Sequence, residues 1–116
     1  MPVTGIGGLF FRSQNPSALA DWYRQHLNID CSSGVWEQQA GPTVFMPFSA
    51  TTDYFPADKQ WMLNLRVTGL DNLIAKLRAA GIEVITKAEW DTPETGRFGR
   101  IHDPEGNQIE LWQPPD

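Results

Sequence analysis

The chain reads as an α+β domain assembled from two tandem copies of one β-α-β-β(-β) unit. Three observations carry this. Two helical patterns are each flanked by strand-like runs, the two halves align at an offset of 54 residues, and the C-terminal end forms a hairpin signature. At that offset Leu9-Phe10-Phe11-Arg12 falls on Leu63-Asn64-Leu65-Arg66, Leu19 on Leu73 and Tyr23 on Leu77. Module one is expected over about 4–58 and module two over about 60–113, within a single domain spanning 1–116.

The helices are the clearest elements. Asn15 suits an N-cap, Pro16 suits N1, and Leu19, Trp22, Tyr23 and Leu27 follow at helical spacing until Asn28, a residue tolerant of the left-handed stop. Leu70, Leu73, Ile74 and Leu77 repeat the spacing, and Gly81 closes the second helix. Strands are expected at 6–12, 31–37 and 43–48 in module one, with an irregular 49–60. In module two they are expected at 61–67, 83–87, 96–102 and 107–112.

The last two strands enclose Asp103-Pro104-Glu105-Gly106. Asp fits the first position of a type I turn, Pro the second and Gly the fourth. A turn there pairs His102 with Gln108, Arg100 with Glu110 and Phe98 with Trp112. Alternation then separates Ile109 and Leu111 from Gln108, Glu110 and Trp112. A lone carboxylate among apolar strand residues needs a partner, which makes Glu110 the central candidate for function. Arg100 beside it favours the ionised form, which suits recognition better than base catalysis near neutral pH.

Composition narrows the partners. Nine basic against 14 acidic residues leave a net charge of −5 with no basic run, a poor match for nucleic acid or an anionic membrane. No apolar run reaches the ~20 residues a membrane span needs. The single Cys31 forms neither an internal disulfide nor a paired-cysteine metal knuckle, and is expected as a half-buried strand residue. Met1 to Phe11 lacks the charged start of a secretory leader, so the expected compartment is the cytoplasm.

The doubled unit, Asp21-Trp22-Tyr23 late in the first helix, and the closing Asp103-Pro104-Glu105-Gly106-Asn107-Gln108-Ile109-Glu110-Leu111-Trp112 together resemble the vicinal oxygen chelate superfamily. That group includes glyoxalase I, extradiol dioxygenases, fosfomycin resistance enzymes and bleomycin resistance proteins. The resemblance implies two βαβββ-type modules curving into a concave mixed half-barrel sheet with helices on the convex side. It would put Leu63, Leu65 and Val67 under the second helix and Met62, Asn64 and Arg66 toward the cavity. It also implies a frequent homodimer.

Many members hold a divalent metal through the first and last strands of each module. Carried over, those positions fall on Gly8, on Met62, on Glu110 and in the 49–60 stretch, where Asp53 and Asp58 are the candidates. Glycine offers no ligand atom and a thioether suits hard divalent ions poorly, so only Glu110 matches. The expectation is therefore a small-molecule-binding protein, metal-independent and without a cofactor, acting by sequestration or as a sensor.

Its aromatic-lined cavity would present Trp36, Glu37, Asn64, Arg100, Glu110 and Trp112 to the ligand. Phe45 would join the opposite wall, and Trp61 could also line it. Trp90 is a candidate for the rim or lid. Two alternatives remain open. One is a metal-dependent glyoxalase-like lyase, isomerase or dioxygenase; the other is a metal-free enzyme moving protons with Arg100, His102 and Glu110. His26, in the last turn of the first helix, fits the helix dipole or the surface instead. The aromatic loop from Thr51 to Pro56 is expected to make a contact, across a dimer or over a pocket mouth.

Overall fold

The computed structural model describes residues 2–116. Its regular elements are α1 (Pro16–Leu27), β1 (Leu63–Arg66), α2 (Leu70–Ala79), β2 (Arg97–His102) and β3 (Gln108–Gln113), with a 3₁₀ turn at Ala88–Trp90. The three strands form one mixed sheet in the order β1-β3-β2, with β1 parallel and β2 antiparallel to β3.

Local chemistry sets the helix ends as the residues require. The Asn15 side chain accepts the Ala18 N–H at 3.2 Å, Pro16 opens α1, and Asn28 takes the left-handed conformation with φ 57°. Gly69 supplies no side-chain cap to α2, and the Leu70 N–H is instead taken by Oε1 of Gln113 at 2.8 Å. Gly81, at φ +82°, follows α2 where a left-handed residue is wanted.

One core joins helices and sheet: Leu19, Tyr23, Leu65, Leu70, Ile74, Leu77, Val84, Ile101, Ile109 and Leu111. Ile101, Ile109 and Leu111 point from β2 and β3 toward Leu70 and Leu77 of α2, and all five are fully buried. Burial of each such side chain contributes about 1.5–3 kcal/mol. Leu63 and Val67 pack partly against this core, as expected for residues under the second helix. Alternation leaves the opposite face of the sheet, with Asn64, Arg100, Glu110 and Trp112, free of helices.

The α+β class and the C-terminal hairpin agree with the expectation; the first module differs. Residues 2–12 and 29–48 contain no strand, and the 83–87 segment reaches β2 only through the single bridge between Ile85 and Arg100. The sheet is therefore three-stranded where two strand-rich modules were expected. An alternating pattern marks a face that wants burial but does not name the strand that pairs with it, and an unpaired backbone forms no ladder. Cys31, expected half-buried in a strand, is exposed in a turn closed by the Gly34 N–H on its carbonyl at 2.7 Å.

Candidate functional site

The open face of the sheet gathers most of the chemistry. The register pairs Arg100 with Glu110, Phe98 with Trp112 and Asn64 with Glu110, so these side chains project from three adjacent strands onto one surface. Glu110 is satisfied at both oxygens. Asn64 Nδ2 donates to Oε1 at 2.7 Å, and the Tyr54 hydroxyl donates to Oε2. Burial, then the Glu110 acceptor, raise the Tyr54 pKa and hold the phenol neutral.

Arg100 forms no ion pair with Glu110, its cross-strand neighbour; among the described residues no carboxylate lies within 4.0 Å of it. Its guanidinium carbon instead stands 5.0 Å from the Tyr54 ring centre and 4.8 Å from that of Trp90. Two aromatic faces thus stabilise the cation where a carboxylate would have neutralised it. Gln108, buried at the strand start, donates through Nε2 to the Tyr54 carbonyl at 2.9 Å and to the Met62 sulfur at 3.0 Å. Trp112 stacks on Phe98 at 6.5 Å, and its indole N–H donates to the Thr95 carbonyl at 2.8 Å.

Of the residues expected at the site, Asn64, Arg100, Glu110 and Trp112 thus share one face. His102 stands at the turn end of β2 and is exposed. Trp36 and Glu37 lie in the exposed 29–48 stretch, as does Phe45, and the structure does not bring them to that face. Trp61 packs edge-on against Phe11 at 5.7 Å, and His26 lies against Trp22 at 5.4 Å. Tyr54 of the aromatic loop turns onto the sheet, against Glu110 and Arg100.

The residues do not fit the divalent-metal site of the superfamily. Glu110 already accepts two protein hydrogen bonds, the Met62 sulfur faces Gln108, and Gly8, Asp53 and Asp58 lie in exposed segments. Among the described residues no three His, Cys, Asp or Glu side chains converge. Such an ion prefers several oxygen or nitrogen donors around it. Two contributors were harder to read from the sequence. Gln108 follows from the same alternation that sets Glu110 on the open face; Tyr54 belongs to the aromatic loop whose composition signals a contact but not its partner.

A small α+β domain with helices on one sheet face and a polar, aromatic surface on the other defines the class. Residues 8–112 match the model of the glyoxalase-like domain, and the chain belongs to that family, within the vicinal oxygen chelate superfamily. The chain is similar in fold to the crystal structure of TnmS3, an antibiotic-binding protein from Streptomyces sp. CB03234. The TM-score is 0.60 and the identity 24%, over 98% of both chains. No curated protein matches the sequence. Among the described residues no helix is long and apolar enough to cross a membrane.

Proposed function

We propose that this glyoxalase-like protein binds a small organic ligand on the open sheet face, without a metal or other cofactor. The observation that carries the reading is Arg100, a half-buried cation beside two aromatic rings and, among the described residues, with no carboxylate partner. Such a group is ready to meet a ligand oxygen or a flat π surface. Glu110 and Asn64 beside it add an acceptor and an amide, and Phe98 and Trp112 extend the apolar floor. The similarity in fold to TnmS3, an antibiotic-binding protein, supports a small-molecule ligand. The crowded hydrogen bonding of Glu110 favours recognition over the metal-dependent alternative.

Binding is to be measured by titration calorimetry against a library of aromatic compounds bearing carbonyl or acidic groups. The expected result is a ligand whose affinity falls about tenfold or more, ~1.4 kcal/mol, in Arg100→Ala and in Glu110→Gln. Chelator should leave its affinity unchanged. Equal affinity in the wild type and both variants would remove the site from this face. A metal found by elemental analysis at about one per chain, and lost in Glu110→Ala, would restore the metal-dependent reading.

The same proposal includes a homodimer in a reducing, cytoplasmic setting, consistent with one exposed cysteine and no disulfide. The alternating segments of module one expose Val35, Val44, Phe45 and Met46, and β1 leaves one edge unpaired. Pairing these segments with a second copy would complete the two-module half-barrel and wall the aromatic cavity with Trp36 and Glu37.

A further inference from the structure

We propose that the Tyr54 side chain occupies, within its own chain, a subsite for a hydroxyaryl group, so that a ligand enters this subsite by displacing the phenol. The inference rests on the binding reading above and names the ligand chemistry at its centre. One residue meets three polar groups of the floor. The Tyr54 hydroxyl donates to Glu110, its ring lies under the Arg100 guanidinium, and its carbonyl accepts from Gln108.

A rotation about the Tyr54 side-chain bonds would vacate the first two contacts and leave the third, because the carbonyl belongs to the backbone. The vacated space has one wall that accepts a proton donor, Glu110. Its other wall faces a π surface, Arg100 backed by Trp90. The group that satisfies both is an aromatic ring carrying a neutral O–H. An ionised phenolate would meet the carboxylate of Glu110, consistent with the raised pKa of Tyr54 itself.

The segment around Tyr54 suits such a displacement. It is held by short local turns, with the Thr52 N–H on the Ser49 carbonyl and the Lys59 N–H on the Pro56 carbonyl, both at 3.0 Å. No strand ladder ties it to the sheet, so the phenol leaves without breaking sheet hydrogen bonds. Phe48, 5.9 Å from the Tyr54 ring and itself partly exposed, is an apolar neighbour that the ring meets outside the polar floor residues.

The test uses p-cresol, the tyrosine side chain without its backbone, and 4-fluorotoluene, of similar size but with no donor. Each is titrated into the full chain and into Tyr54→Ala, following the Trp90 indole and Arg100 guanidinium NMR signals. The expected result is that Tyr54→Ala binds p-cresol at least about tenfold more tightly than it binds 4-fluorotoluene. It should also bind p-cresol at least about tenfold more tightly than the wild type does, the scale of one charge-assisted hydrogen bond.

Equal p-cresol binding by wild type and variant, no binding by the folded variant, or no preference over 4-fluorotoluene would each overturn the proposal. If Tyr54→Ala does not fold, Tyr54→Phe keeps the ring and removes the latch. Amide exchange at Thr52, position 54 and Lys59 should then speed at least about fivefold, with Ile109 and Leu111 unchanged; unchanged exchange in the loop would overturn the latch. Success here with failure of the library screen would show a subsite whose full ligand lies outside that library. The reverse would move the bound ligand elsewhere on the face.

Discussion

Asp103 ties the first helix to the hairpin with a single carboxylate. Oδ1 accepts the N–H groups of Glu105 and Asn107 at 2.9 and 3.0 Å. Oδ2 accepts the Tyr23 hydroxyl at 2.7 Å and Asn107 Nδ2 at 2.8 Å. Asp103 and Tyr23 are both buried, so Asp103→Ala strands a phenol without a partner. It should cost about 2–4 kcal/mol in urea unfolding, against ~1 kcal/mol for Tyr23→Phe, which removes the donor as well. A smaller loss in Asp103→Ala than in Tyr23→Phe would show that water replaces the carboxylate.

Next to it, Glu105 accepts from the Ser13 hydroxyl at 2.5 Å and the Gln14 N–H at 2.7 Å, and these bonds lower its pKa below the usual 4.5. The unfolded chain therefore takes up this proton at higher pH than the folded chain. The stability it contributes is full above the ordinary glutamate range and is lost as pH falls through the lowered folded value. Melting temperatures of the wild type and Glu105→Gln should accordingly converge as pH falls below that range, and differ at neutral pH. A constant difference at all pH values would place the effect in packing.

At the scale of elements, the C-terminal hairpin is the best-specified part. Gly106 donates to the Asp103 carbonyl at 3.0 Å and stands at φ +80°, the type I turn with a left-handed residue that a three-residue hairpin loop requires. The turn sets the register, and the register sets which side chains reach the open face. Gly96, at the start of β2, has φ +100°. A Cβ there would stand 2.2 Å from the Gln113 carbonyl oxygen and 3.1 Å from Trp112 Nε1. Gly96→Ala should cost about 1–3 kcal/mol from backbone strain alone and more from the clash. Denaturant unfolding measures it, and a near-neutral effect would mean that the β2–β3 edge shifts to make room.

For the whole molecule, the question is what covers the first module. Phe10 is 93% exposed and Phe45 85%, in segments whose alternation marks them as strand faces. Exposed aromatic residues on unpaired backbone are unfavourable in water and are relieved by association. Sedimentation equilibrium should give about twice the 13.0 kDa chain mass. A double substitution, Phe45→Ser with Met46→Ser, should shift the equilibrium toward monomer. A wild type that stays monomeric would leave the module-one segments as surface and remove them from the proposed cavity.

Both helices, the caps of α1, the hairpin and the register that sets Arg100 against Glu110 were determined by the sequence alone. Each depends on interactions within a few residues: Asn15 on Ala18, Asn28 after α1, Asp103 around its turn. What only the tertiary structure decided depends on residues far apart in the chain. Tyr54 meets Glu110 across 56 positions, Arg100 lies between two rings and forms no ion pair, and the module-one segments have no strand beside them. Side-chain periodicity records which face of a segment wants burial. It carries no information on what arrives to bury it, because that choice is settled by packing between distant segments.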